Sequence, residues 1–338
     1  MSTSTPKRTY HLSAAEADEV ENLTLRIAKE YSGPADEQLL RDLPLLAAEL
    51  PVGQRRFLRD FALEDELGYC VVRGHTIDDA RIGPTPQHWR GRPIPTPEFP
   101  EEILLLLVGS LLGEPFGWKT QQDARLVHDI FPIKGFETEQ MGIGSTDTLT
   151  LHTEDAFHPW RADYLLLECL RNPDKIATIV SEPDLSTLDA AHLELLHQQN
   201  FLIRPDDSHL AKHNVTEGVD AEFAEIAEMK ADDNRVAVLY GSRKHPYMRL
   251  DPYFMETPRD PAAREALDAV NELLESSCLD VALEPGDVLV INNHRLAHGR
   301  QAFQARYDGT DRWLKRVSIT TDLRKSHERR ASATARLI

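Results

Sequence analysis

The sequence predicts an α+β fold, a jelly-roll or β-sandwich core with helices packed outside it. Three observations predict this. The first third of the chain spaces its apolar residues helically. The rest holds many short strand-like runs, and these do not alternate regularly with helices as a parallel doubly wound sheet requires. No glycine-rich dinucleotide or P-loop signature follows a strand, so nucleotide-binding folds lose support.

The elements follow in order. Ser13 and Glu16 form a capping box opening a helix that ends near Ser32-Gly33-Pro34. A second amphipathic helix is expected over 36–50, with Pro44 a candidate break, and a third over 53–63. A short strand, Tyr69 to Arg73, precedes a stretch (83–100) with six prolines that reads as a surface loop or lid. A strong helix is expected from Glu101 to Leu112. Strands are then expected at 146–153, 164–169, 176–181, 236–240, 286–291 and 313–320, with helices at 189–198 and 262–276. A polar, acidic region spans 205–234, and the basic tail after Asp322 is expected to fray or lie on the surface. The organisation expected is one domain over 1–338. Its parts are a mainly helical 1–115, a core over 116–325 with helical or lid insertions near 182–234 and 259–278, and a tail at 326–338.

Composition narrows the partners. The 338 residues are 41% hydrophobic and 28% charged, enough apolar material for a core, and the net charge is −18. Phosphate backbones and anionic lipid would repel such a chain, so neither nucleic acid nor membrane is expected as a partner. Cys70, Cys169 and Cys278 are sparse and form no CxxC pair, which reads as buried thiols in a reducing compartment. The N-terminal residues lack a signal-peptide apolar stretch, and the longest apolar run, Ile103 to Gly109, is too short to span a bilayer. A cytoplasmic location is the expectation.

Two local patterns carry chemistry. In Leu149-Thr150-Leu151-His152-Thr153-Glu154-Asp155, His152 and Glu154 stand two apart on an expected strand, so both would face one side. In Gly286 to Arg300, a strand would deliver His298 just beyond its end. Two imidazoles and a carboxylate on one face of an octahedral ion leave three positions open, the facial triad of non-haem Fe(II) oxygenases. By itself an H-x-E pair is weak among 14 histidines and 56 acidic residues, and His152/His158 and His294/His298 are rival pairings. The helical HExxH of zinc hydrolases is absent. Arg312 and Arg316, four apart on an expected strand after His298, strengthen the set. Two inward arginines are costly to bury unless each meets an anion, such as a dicarboxylate co-substrate and an amino-acid carboxylate.

With these residues in view, the sequence resembles the clavaminate synthase-like family of Fe(II)/2-oxoglutarate oxygenases. The resemblance rests on His152-Thr153-Glu154-Asp155-Ala156-Phe157-His158-Pro159, Arg161-Ala162-Asp163-Tyr164, Leu170-Arg171-Asn172-Pro173, and His298-Gly299-Arg300 through Asp308 to Arg316. It covers roughly 100–325, with the first hundred residues matching loosely, and it is strongest to the branch that hydroxylates free arginine in antibiotic pathways. It implies a double-stranded β-helix and a dioxygenase using Fe(II), 2-oxoglutarate and O₂ on a small amino acid. By the same resemblance His152, Glu154 and His298 would bind iron, and Arg312 with Thr178 would hold 2-oxoglutarate. Arg316 would meet the substrate carboxylate, Glu154 and Gln121 its amine, Asp206 and Ser208 would contribute from a lid, and Asp251 would meet a guanidinium. Tyr253 departs from the pattern, standing where a second carboxylate is expected. Arginine oxidised at C3 or C4, citrulline, a cyclised arginine and lysine therefore all stay open, as does desaturation. So does a non-catalytic metal-binding jelly roll. Several of these residues also read blandly: Gln121 as a surface amide, Asp206 as a loop carboxylate, Asp251 as turn chemistry before Pro252, and Thr178 as a strand residue.

Overall fold

A computed structural model describes residues 7–64 and 67–338. The N-terminal part begins with β1 (Thr9–His11) and α1 (Ala14–Ile27). The capping box is present: Glu16 N–H donates to Ser13 Oγ at 3.3 Å, and Ser13 N–H donates to the Glu16 carboxylate at 2.9 Å. Asp36 caps α2 (Glu37–Leu46), accepting from the amides of Gln38 and Leu39. Pro44 lies inside this helix, which gives way two residues later to a 3₁₀ turn at Ala47–Glu49. Next come α3 (Val52–Leu63), β2 (Tyr69–Arg73) and the short α4 (Asp79–Ile82). The proline-rich segment is irregular until α5 (Phe99–Ser110), in which every residue from Phe99 to Gly109 is buried. A helix apolar on all sides must be covered all round. Helices α1 and α2 pack on it from one side, and the larger sheet from the other. Gly109 allows the close approach, since a Cβ there would lie 2.5 Å from Ile319 Cδ1.

The remaining strands are short. In order they are β3 (Glu114–Phe116), β4 (His128–Ile130), β5 (Leu149–His152), β6 (Tyr164–Arg171) and β7 (Thr178–Ser181). After α6 (Ala190–Leu196) and α7 (Asp220–Ala231) come β8 (Leu239–Gly241) and β9 (Pro246–Met248). The chain continues through α8 (Pro261–Ser276), β10 (Cys278–Val281), β11 (Val288–Asn292), β12 (Ala297–Arg300) and β13 (Trp313–Thr320). The larger sheet runs β1-β2-β11-β6-β13-β3, with β4 also on β13; the smaller runs β10-β7-β12-β5. The two sheets face each other as a double-stranded β-helix. Leu165, Leu167, Val180, Leu289, Ile291 and Leu314 fill the space between them. Helices α6 and α8 cover the smaller sheet through Leu196, Ala266, Val270 and Leu274.

Strands β1 and β2 of the N-terminal part belong to the larger sheet, and α7 falls within the insertion expected near 182–234. Several expectations are corrected. The strand expected at 236–240 forms at 239–241. Cys70 and Cys169 are buried but Cys278 is exposed. The tail docks instead of fraying. Leu337 bridges Gly117 in parallel, Lys119 N–H donates to Ile338 O at 2.9 Å, and Arg336 pairs with Glu114 at 2.9 Å. Its apolar end explains this, because Ile338 packs with Phe116 and Trp118. Among the described residues no helix is long and apolar enough to cross a membrane.

Candidate active site

A cavity of ≈ 120 Å³ opens between the sheets, lined by residues of β5, β6, β12 and β13, the turn after β5, and the 206–214 segment. His152 is the last residue of β5 and is directly paired with His298 of β12, which sets the imidazole centroids 4.5 Å apart. Gly299 permits this pairing: a Cβ there would come within 2.4 Å of Leu149 O. Two expectations therefore change. His298 sits on its own strand, and Glu154 lies past the end of β5 in a turn, with no strand alternation to aim it. Asn293 holds that turn. Its Oδ1 accepts from Glu154 N–H at 2.7 Å, while its Nδ2 donates to Glu154 O at 3.1 Å and Ala162 O at 2.8 Å.

Glu154 Oε2 lies 3.8 Å from His152 Nε2 and 3.6 Å from His298 Nε2, and the three donors converge within 4.8 Å. Burial opposes ionisation of Glu154, but Arg316 and the two imidazoles outweigh it and hold the carboxyl well below its usual range. Burial, then His152, lowers His298 to about 4, so this imidazole is neutral. Burial also works against a charged His152, yet the Glu154 and Asp251 carboxylates raise it to about 9. The field at the triad thus favours a positive charge between these donors. Thr150 O accepts from His152 Nδ1 at 2.8 Å, which leaves Nε2 to face inward. Two imidazole nitrogens, one carboxylate oxygen and a favourable field fit a divalent iron ion.

Arg312 is 6% exposed, and its described side-chain partner is Thr178 Oγ1 at 3.1 Å. No carboxylate pairs with it among the described residues, and burial lowers it to about 10. A buried guanidinium without a counter-anion is a site for a carboxylate ligand. Leu314 and Arg316 line the pocket with it, while Lys315 between them points through the sheet to Glu98, Glu102 and Asp129 at 2.7–2.8 Å. Arg316 Nη1 donates to Glu154 Oε1, and Nη2 lies 2.8 Å from His128 Nδ1 and 3.4 Å from Gln121 Oε1. Burial, then Arg316, lowers His128 to about 3, so it accepts as a neutral ring.

The candidate substrate contacts gather on the same cavity. Gln121 Nε2 donates to Asp155 Oδ1 at 3.2 Å and to Ser208 Oγ at 2.7 Å; Asp206 accepts from Ser208 N–H at 2.9 Å. Asp251 is 8% exposed, accepts from Phe254 N–H at 3.3 Å, and has no Arg or Lys partner among the described residues. Burial raises its carboxyl to about 6. Tyr253 is 59% exposed and does not line the cavity, whereas Phe254 does. Asn293, Asp155, His209, His128 and Arg300 also build the site and were not singled out from sequence. For Arg300 a signal existed, its place two residues after His298. The others depend on contacts between distant segments.

A site of this kind on two facing sheets defines a mononuclear non-haem iron oxygenase. Residues 205–318 match the family model described as "Taurine catabolism dioxygenase TauD, TfdA family". The chain is 39% identical over 339 residues to the enduracididine beta-hydroxylase of Streptomyces hygroscopicus, covering 98% of this chain and 99% of that protein. It is 42% identical over 324 residues to the L-ornithine/L-arginine 3-hydroxylase of Catenulispora acidiphila, covering 92% and 94%. The crystal structure of the non-haem iron oxygenase OrfP with Fe, succinate and (3S)-hydroxy-L-Arg superposes with a TM-score of 0.95 at 55% identity, covering 98% of this chain and 99% of that one. The chain belongs to the TauD and clavaminate synthase-like family of Fe(II)/2-oxoglutarate-dependent oxygenases. The similarity spans 98% of the chain and so includes the first hundred residues.

Proposed function

We propose that this protein hydroxylates free L-arginine at C3, with the neighbouring C4 as the other reachable position. One observation carries this reading: the cavity holds an ion pair at one end, Arg316 with Glu154, and an uncompensated buried carboxylate, Asp251, at the other. A zwitterion fits the first end, with its carboxylate on Arg316 and its ammonium on Glu154 Oε1. A guanidinium fits the second, supplying the cation Asp251 lacks. The relative named as an L-ornithine/L-arginine 3-hydroxylase, and OrfP with its hydroxylated arginine, support the same substrate.

His152, Glu154 and His298 would hold the iron, and Arg312 with Thr178 would hold the far carboxylate of 2-oxoglutarate. When bound, iron and 2-oxoglutarate together use O₂ to oxidise a C–H bond, releasing succinate and CO₂. The chain's own work is positional. Arg316, Glu154 and Gln121 would fix the α-carbon end beside the triad and Asp251 the far end; the choice of C3 is supported by the likeness to OrfP, whose structure holds (3S)-hydroxy-L-Arg. Asp206 and Ser208 close the segment over the amine. A cytoplasmic location suits an enzyme that depends on a reduced metal and a metabolic acid.

The test is amino-acid-dependent succinate release by purified protein with Fe(II), ascorbate and 2-oxoglutarate. Arginine is expected to give the fastest release in a panel with citrulline, lysine and a cyclised arginine. Faster release with any of the others removes the arginine assignment.

A further inference from the structure

In the 206–214 segment His209 is fully buried. Its ring meets Trp118 and Phe157 edge-on, with centroids 5.6 and 5.0 Å away. Its Nε2 donates to Asp155 Oδ1 at 3.0 Å, and its Nδ1 lies 2.7 Å from Thr120 Oγ1. Asp155 sits in the left-handed region at φ 48°, and its other oxygen accepts from Trp118 Nε1 at 2.6 Å. Packing alone would make His209 a structural residue. The next link in the network gives it more to do.

Gln121 Nε2 contacts both Asp155 Oδ1 and Ser208 Oγ. Asp155 already accepts from Trp118 Nε1 on one oxygen and meets His209 Nε2 with the other, and Ser208 donates its hydroxyl proton to Asp206 Oδ1, so both contacts accept from the amide. Both Gln121 amide hydrogens are therefore committed. Flipping the amide would press its carbonyl against a carboxylate. Gln121 Oε1 is left facing Arg316 and the corner occupied by Glu154 Oε1. That corner offers acceptors to a ligand, which suits an ammonium group and nothing lacking a donor.

We propose that His209 is a positioning residue for amine recognition: it holds Asp155 against Gln121 and thereby turns the Gln121 carbonyl toward the α-ammonium of the substrate. His209 and Ser208 lie on one segment, so the amide is oriented only when that segment is in place over the cavity. This inference rests on the free amino-acid hydroxylase reading above.

The test compares the iron- and 2-oxoglutarate-loaded enzyme with its His209→Phe, His209→Gln and Thr120→Val variants. KM is measured for L-arginine and for 2-oxoglutarate, together with the inhibition constant of the arginine analogue lacking the α-amino group. Loss of one buried hydrogen bond to a charged group corresponds to about a tenfold change. His209→Phe keeps the ring packing and is expected to raise the arginine KM about tenfold, leaving the 2-oxoglutarate KM and the analogue's inhibition constant unchanged. His209→Gln, whose amide N–H reaches toward Asp155, is expected to recover part of the loss. Thr120→Val is expected to shift the arginine KM in the same direction by less, and it decides the matter if the Phe variant does not fold. Equal weakening of arginine and analogue, or no change in any variant, overturns the proposal. Wild-type enzyme that fails to release succinate with arginine overturns the underlying function instead.

Discussion

Arg316 and Glu154 form an ion pair that divides the Glu154 carboxylate between two tasks. Oε1 accepts from Arg316 Nη1, and Oε2 lies 3.6 Å from His298 Nε2. One oxygen is thus available to the metal position, and the other sits at the edge where a zwitterion would bind.

Arg312 should govern the co-substrate and little else. It is buried, and its described partner is a single hydroxyl. Arg312→Ala is expected to raise the KM for 2-oxoglutarate by about 10- to 100-fold, the range for a charge-assisted contact to a carboxylate. Thr178→Val should raise it by about fivefold, as for a neutral hydrogen bond. The arginine KM should stay near the wild-type value in both. Steady-state kinetics with each substrate varied in turn checks this.

Asp251 should set both side-chain selectivity and the acid limb of the pH profile. Burial raises its carboxyl to about 6. Above that pH it is ionised and can pair with a guanidinium; below it the group is neutral and the pair is lost. The kcat/KM for arginine should therefore fall as pH drops through about 6. Asp251→Asn should remove that inflection and cost arginine about 30-fold or more, as for breaking a buried charge pair. Citrulline, which carries no side-chain charge, should change little. Profiles of kcat/KM for both substrates, wild type against variant, measure it.

Asn293 should matter for metal affinity although it touches no ligand position. Its side chain holds Glu154 by both N–H and C=O. Asn293→Leu is expected to weaken Fe(II) binding about 10- to 100-fold, the usual effect of losing an outer support of a metal ligand. Titration of the metal-free protein with Fe(II) under anaerobic conditions reads this directly.

Lys315 should be a stability residue on the reverse of the active-site strand. It is fully buried against Glu98, Glu102 and Asp129. Burial opposes its charge, but these carboxylates outweigh it and keep it protonated. Lys315→Met leaves them with Arg92 as the nearest described cation and is expected to cost about 3–5 kcal/mol. Urea unfolding of the two proteins measures the difference.

How much of this was legible in the sequence follows from how local each feature is. The long, strongly patterned elements were readable: α8 and β13 fall close to where periodicity put them. Strands of three or four residues, such as β12 with Ala-His-Gly-Arg, hold too few alternations to register. His152 and Glu154 were found because they are neighbours, but the reason they converge is different. Asn293 and the left-handed turn at Asp155 place Glu154, and strand alternation does not. Asn293 is 139 residues from Glu154 in sequence, so no local pattern could reveal that support. The docked tail had a signal, the apolar Leu337-Ile338 after a basic run, which the charge of that run obscured.

The most direct test of the central claim is the product formed from L-arginine. Purified protein with Fe(II), 2-oxoglutarate and O₂ should yield arginine carrying one added oxygen, with the new hydroxyl at C3 by NMR. Succinate should form in equal amount, and His152→Ala should abolish both. A product that has lost two hydrogens without gaining oxygen, or unchanged arginine under turnover conditions, would contradict the account.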